Sequence, residues 1–198
     1  MKKLLLIMVL IPFSCAPVKK EIIRKSTIKI EGVNNNIEKL IKINGYYSDL
    51  SYNANANLMF FADGTYVWQW QFNETATRDS ISNNMTKSLR KWIEGGQVRW
   101  GSCWGVYRIE GDTIIGHSFT KRTLLTGWSF WEEKYKIIDS TTVQKISWKG
   151  LLKIYEDHKV TQRPSQPAHF IPADSLPSSD NWLKEEKFIW RNELDWMK

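Results

Sequence analysis

Few side chains in this 198-residue chain could do chemistry: two cysteines, three histidines and a scatter of carboxylates. Cys103 is the first to weigh. It stands in Trp100-Gly101-Ser102-Cys103-Trp104, with Gln97 six residues ahead. A thiol nucleophile needs a pKa lowered by a helix N-terminus or a nearby cation, and a histidine within hydrogen-bond reach. Yet Trp104 is followed by Gly105-Val106-Tyr107-Arg108-Ile109-Glu110-Gly111-Asp112, a strand running into a turn. A small, half-buried strand cysteine is the plainer expectation. His158 beside Glu156 and Asp157 offers three metal donors, but adjacent residues on a strand or turn point apart, and a solvated charged turn fits better. His117 alternates with Ile115 and Phe119, which predicts a core or lumen-lining histidine with one hydrogen-bond partner. Glu132 and Glu133 are strand neighbours, so they face opposite sides and cannot pair as carboxylates. There is no Gly-rich phosphate loop, no Gly-x-Ser-x-Gly and no paired-cysteine metal signature. The expectation is a protein without a cofactor or metal that is not an enzyme.

The string Gly101-Ser102-Cys103-Trp104 does resemble the nucleophile segment of papain-like cysteine proteases, where Gln97 would match the oxyanion-hole glutamine. That resemblance implies a helix beginning at the cysteine and a histidine about 130–150 residues downstream. Only 95 residues follow Cys103, and His117, His158 and His169 all lie too close in sequence. A cysteine hydrolase at Cys103 is therefore the remote alternative.

Cys15 has a different setting. Met1-Lys2-Lys3 is followed by the apolar run Leu4 to Phe13, then Ser14-Cys15. A positive start, a short apolar stretch and a small residue before the break predict a secretory signal peptide over residues 1–14. The run is too short to cross a bilayer as a helix. Because the break falls at a cysteine, the segment resembles the lipobox of bacterial lipoproteins, with Pro12 where that motif usually has Leu. The resemblance implies a Cys15 that is diacylated through sulfur, becomes the new N-terminus and is acylated again. Ala16 rather than Asp at the next position implies the outer membrane. Loss of Lys2 and Lys3 would lower the net charge from +7 to +5, a mild basic excess beside anionic lipid. Export argues against a nucleic-acid partner. With Cys15 lipidated, Cys103 has no partner for a disulfide, so the fold must stand on its apolar core.

The elements that position these residues are mostly strands. Residues 15–34 are polar and basic with scattered Ile, and read as a lipidated tether. Residues 35–198 then form one domain. Asn34-Asn35-Asn36 before Ile37, Leu40 and Ile41 predicts a helical turn or two. Three hairpins follow. Leu58-Met59-Phe60-Phe61 turns at Ala62-Asp63-Gly64 into Thr65 to Phe72, Val98 to Ile109 turns at Glu110-Gly111-Asp112 into Thr113 to Thr120, and Gly127 to Ile138 turns at Asp139-Ser140 into Thr141 to Trp148. Ile81, Met85, Leu89, Trp92 and Ile93 recur at helical spacing, which predicts an inserted helix over about residues 79–94. A Pro-rich loop spans 164–180, interrupted by a short strand at Ala168 to Ile171. Asp180 to Glu186 can form a short helix and the β-prone Lys187 to Asn192 a closing strand. The alternative is a longer helix with Leu183, Trp190, Leu194 and Met197 on one face. The fold class expected is all-β, with one or two short helices: an antiparallel up-and-down meander closing into a barrel, which leaves no exposed edge.

Gly45-Tyr46-Tyr47, Phe61-Ala62-Asp63-Gly64-Thr65-Tyr66 and Trp104 to Ile114 resemble recurring phrases of lipocalin-like (calycin-type) lipoproteins of Gram-negative envelopes. Gly45-Tyr46-Tyr47 stands where lipocalins proper have Gly-x-Trp. The resemblance implies an up-and-down barrel with a small apolar cavity and no assigned activity.

The 11 Trp complete the inventory. Tyr66, Trp68, Trp70 and Phe72 share one strand face, and Trp100 and Trp104 share another. Pointing inward, they either pack the barrel or, with His117, line a pocket for a small apolar ligand. The other arrangement is an exposed platform of Trp128, Trp131, Trp182 and Trp196 that, with basic residues, would hold a glycan or a protein partner.

Overall fold

The computed structural model describes residues 15–30, 36–48, 55–71, 103–121, 128–152, 165–173 and 176–191. Eight antiparallel strands close into a barrel in sequence order: β1 Gly45–Ser48, β2 Asn55–Phe60, β3 Thr65–Gln71, β4 Cys103–Glu110, β5 Thr113–Lys121, β6 Trp128–Asp139, β7 Thr142–Gly150 and β8 Ala168–Pro172. A helix, α1, spans Cys15–Lys25. The expected inserted helix at 79–94 and residues 1–14 lie outside the described residues.

Local chemistry sets the hairpins. At the β2–β3 turn Gly64 has φ 87°, a conformation costly for any residue with a Cβ. Asp63 Oδ1 there accepts hydrogen bonds from the Thr65 backbone N–H (2.9 Å) and hydroxyl (2.6 Å). The β6–β7 turn repeats the device, with Asp139 Oδ1 bound by the N–H and hydroxyl of Thr141, each at 2.7 Å. Each short side chain closes its turn by bonding the backbone two residues on.

The ring is closed unevenly. β5 and β6 pair along their whole length, from Thr113↔Lys136 to Lys121↔Trp128. β8 pairs with β1 from Gly45↔Pro172 to Ser48↔His169, but meets β7 at Thr142↔His169 and Val143↔Ala168 alone. Closure thus falls to the short strand inside the Pro-rich segment. Residues 187–192, expected as the closing strand, instead begin with a 3-10 turn at Lys187–Ile189 and a single parallel bridge, Ile30↔Trp190.

Two apolar layers result, one on each face of the sheet. The inner layer takes Tyr47, Leu58, Phe60, Tyr66, Tyr107, Ile114, Tyr135 and Val143 from seven strands, with Phe170 of β8 packed against them. Ring contacts across the lumen, such as Phe60 of β2 to Tyr135 of β6 with centroids 6.0 Å apart, identify this face as the interior. Ile37 and Ile41, in and just after the 3-10 turn Ile37–Lys39, cap the hairpin end of the barrel. The Lys42 N–H donates to the Ser140 carbonyl there (2.9 Å). Tyr66 is held close. A Cβ on Gly105 or Gly116 would stand 2.3 Å or 2.5 Å from its side chain, so only glycine admits the ring.

Over residues 15–30 the outer layer corrects the reading of 15–34 as a tether, and 31–34 lie outside the described residues. Tyr46, Met59, Val67, Trp104, Val106, Ile115, Phe119 and Phe130 face outward from β1 to β6 and would be wet if uncovered. Ile22 of α1, Ile28 and Ile30 cover them, together with Trp182, Leu183 and Ile189 from the C-terminal segment. The two covering segments are tied together, with the Ile30 N–H on the Ile189 carbonyl (2.6 Å) and the Arg191 N–H on the Ile30 carbonyl (3.0 Å). Lys19 pairs with Glu186 (2.8 Å), and Lys184 fastens the cover to the β2–β3 turn through Asp63 (2.6 Å).

Two predictions follow from the cover. Ile22→Ala should cost roughly 2–5 kcal/mol in urea unfolding, as for other buried Ile truncations, whereas Ile23→Ala, at an exposed neighbour, should stay within about 0.5 kcal/mol. Equal, small effects would mean that α1 does not pack. For Asp63, burial raises the pKa, but the hydrogen bonds from Lys184 and Thr65 outweigh it and hold the carboxyl below its ordinary range. A carboxyl depressed in the folded state stabilises above its unfolded pKa, and that stability is lost as pH falls through the folded value. From about pH 4 downward, the urea midpoint of the natural sequence should therefore fall more steeply than that of Asp63→Asn.

Candidate functional site

Among the described residues the inner face carries one charged cluster, and β6 positions it. Alternation from Tyr135 and Ile137 brings Glu133 inward, where it is fully buried. Burying a carboxylate is costly unless donors replace its water. Tyr66 of β3 reaches across the lumen to donate its hydroxyl to Glu133 Oε2 (2.8 Å), and Lys145 of β7 donates from Nζ to Oε1 (2.8 Å). Tyr135 is hydrogen-bonded to the same carboxylate. Burial, and then the charge of Glu133, push both phenols well above their ordinary pKa, so they remain donors throughout the physiological range. The Lys145 ammonium also lies 5.4 Å from the centroid of Tyr135 and 5.7 Å from that of Trp68, within cation–π range.

Below this cluster the barrel is filled. Phe60, Tyr66, Tyr107 and Tyr135 meet edge-on or tilted at centroid separations of 5.4 to 6.5 Å and floor the lumen above the Ile37–Ile41 cap. Toward the other end the register brings in more tryptophan. Trp131 pairs with Ser118, Trp148 pairs with Glu133, and the two indoles stack at 4.2 Å and 12°. Trp148 shares the face of Lys145, three residues earlier, only because a bulge lies between them, where Lys134↔Ser147 is followed by Tyr135↔Lys145. Trp68, Trp148 and Lys145 are half-buried, whereas the rings at the floor are buried. The connections at that end, 49–54, 72–102, 122–127 and 153–164, lie outside the described residues.

The sequence-predicted residues separate accordingly. Tyr66 and Trp68 are in the inner layer as expected. Trp70 lies on β3 opposite Ala56. Phe72 and Trp100 fall outside the described residues. Trp104 is on the other face: it pairs with Val67, is fully buried in the outer layer and stacks on Phe61 at 5.7 Å. His117 is also outward, its ring edge-on to Phe130 at 5.1 Å and its Nε2 3.7 Å from Glu132 Oε2. That contact with His117 is the main cause of a Glu132 pKa below the usual range, against an opposing contribution from burial. Glu132 and Glu133 thus do face opposite sides. The members of the expected exposed platform that can be placed are covered: Trp182 and Trp131 are buried, and Trp128 is half-buried edge-on to Trp182 at 5.3 Å. Trp196 lies outside the described residues.

Cys103 opens β4, a strand rather than a helix, with Sγ 2.9 Å from Thr120 Oγ1. It has the inward parity of Gly105 and Tyr107, so the sheet separates it from His117. Among the described residues no three His, Cys, Asp or Glu side chains converge as metal ligands. The residues 156–158 expected as a charged turn lie outside them. Cys15 is the first residue of α1, and no helix among the described residues is long and apolar enough to cross a membrane.

Glu133, Tyr135, Lys145, Trp131 and Trp148 were not singled out from sequence as lumen residues. Glu133 did carry a signal, since it is a lone acid at the parity of Trp131, Tyr135 and Ile137. Glu133→Gln would leave the Lys145 ammonium facing a neutral amide. The expected loss is about 1–3 kcal/mol in urea unfolding, below the range for a wholly buried pair because Lys145 is partly solvated. Glu133→Gln with Lys145→Met should recover most of it, and equal losses in the single and double variants would show that the pair is uncoupled.

No protein-family model, curated protein or solved structure matches the chain.

Proposed function

We propose that this protein is a non-enzymatic envelope lipoprotein, anchored through Cys15 to the outer membrane, whose lipocalin-like barrel holds a small, largely apolar, ring-bearing molecule. The observation that carries this reading is the asymmetry of the inner face. One end is floored by packed rings, whereas the other presents half-buried Trp68, Trp148 and Lys145 above the Glu133 cluster. Indole faces take flat apolar surface, and a few fixed polar groups orient a ligand within such a lining. Glu133, with its phenol and ammonium donors, supplies those groups. The binding residues of this reading are Trp68, Trp131, Trp148 and Lys145, with Tyr66 as floor. Trp104 and His117 belong instead to the outer packing. The glycan or protein platform loses support from the burial of Trp131 and Trp182.

Native mass spectrometry of protein extracted from its own membrane tests the ligand. A co-purifying small molecule is expected with the natural sequence, and its occupancy should drop on Trp148→Ala. Protein that is empty in every extract, or occupancy indifferent to Trp148, overturns the lumen site. The anchor has a separate test: Cys15→Ala should shift the protein out of the membrane fraction, and unchanged fractionation defeats it.

A further inference from the structure

We propose that the outward stripe of α1 is a docking face for a bilayer surface rich in anionic phospholipid, which fixes the barrel's attitude to its membrane. The proposal rests on the reading of Cys15 as the lipid anchor. A lipoprotein on a flexible leash would be free to turn. Here the helix begins at Cys15 itself, and its inward residues Val18 and Ile22 are pressed against the barrel's outer layer. Lys25 bonds both Glu21 and the Leu151 carbonyl, and Lys19 pairs with Glu186, so both flanks of the helix are tied to the body. No slack separates the acyl chains from the fold.

The opposite stripe is Lys20, Ile23 and Arg24, which one helical turn brings to one face. Lys20 and Arg24 are exposed and have no acidic partner among the described residues. Between them Ile23 is 44% exposed, one of three large apolar side chains so exposed among the described residues. Two cations flanking an aliphatic side chain suit a phosphate-bearing headgroup layer. The ammonium and guanidinium meet phosphates, and the Ile enters the boundary of the acyl region. The covalent anchor at one end of the same helix brings that layer within reach. Charge complementarity and continuity with Cys15 select the bilayer as the occupant.

The test uses the full acylated protein in vesicles of phosphatidylcholine alone, or of phosphatidylcholine mixed with phosphatidylglycerol. A water-soluble amine reagent, read by peptide mass spectrometry, reports the labelling of Lys20 relative to Lys39, an exposed reference at the hairpin end of the barrel. With phosphatidylglycerol present, the Lys20/Lys39 ratio should fall roughly tenfold and recover at high salt, where surface charge is screened. The variant Ile23→Ser with Arg24→Glu changes exposed positions only and should lose most of that fall while keeping the natural urea midpoint. An equal ratio in the two vesicle types, or a fall untouched by salt and by the variant, overturns the docking face. The mass of the N-terminal peptide separately reports acylation of Cys15. If it carries no acyl chain, the anchor reading fails, and the Lys20/Lys39 ratio of the unacylated chain in the same vesicles still decides the docking face.

Discussion

The strands of this barrel are apolar on both faces, and an antiparallel sheet with two apolar faces has to be covered twice. Closing the ring covers the inner face, because Phe60, Tyr66, Tyr107 and Tyr135 then pack against each other across the lumen. Closing it does nothing for Val67, Trp104, Val106 and Phe119, which point away. The chain ends supply the second cover. Ile22, Ile28 and Ile30 come from one end and Trp182, Leu183 and Ile189 from the other, and the backbone bonds between Ile30, Ile189 and Arg191 make them one layer. Removing surface from both faces lets an aromatic-rich chain stand without a disulfide, since each buried ring contributes a large apolar area.

The same arrangement divides the polar groups by task. Outside, Lys19, Lys184, Glu186 and Asp63 act as fasteners at the edge of the cover, where Lys19 is open to water and the other three are partly buried. Inside, Glu133 is fully buried, and among the described residues Tyr66, Tyr135 and Lys145 hydrogen-bond its carboxylate. The phenols are locked by packing, Tyr66 above all by the two glycines beneath its ring. The carboxylate is therefore held in a fixed position.

How far all this could be read in advance depends on the range of the interaction. The three hairpins were legible because Asp63-Gly64-Thr65, Glu110-Gly111-Asp112 and Asp139-Ser140-Thr141 specify their turns locally. Alternation correctly grouped Tyr66 with Trp68 and parted Glu132 from Glu133. It could not say which face of β4 is interior, because Trp104 is apolar on one side and Tyr107 on the other, and their fates follow from pairing with β3. Trp148 was hidden by the bulge, which shifts parity within β7. Scattered Ile residues in the first thirty positions looked like a tether because the partner that buries them, around Ile189, lies at the far end of the chain. Phe188-Ile189-Trp190 has strand-forming residues, yet β8 already occupies the place beside β1, and the segment settles on the outside instead.

The ladder between β7 and β8 registers at Thr142↔His169 and Val143↔Ala168, with the Phe170 N–H on the Thr141 carbonyl beside it (2.8 Å), whereas β7 itself continues to Gly150. Beyond Val143, the Lys145 carbonyl is met by the N–H of Ser165, ahead of β8, rather than by a strand residue. β1 and β2 likewise register at two positions, Tyr47↔Leu58 and Ser48↔Asn57, so β1 and β8, paired with each other over four positions, meet their outer neighbours at two each. The β8–β1 pair is therefore set into the ring as a unit, joined over more positions within itself than to the strands on either side.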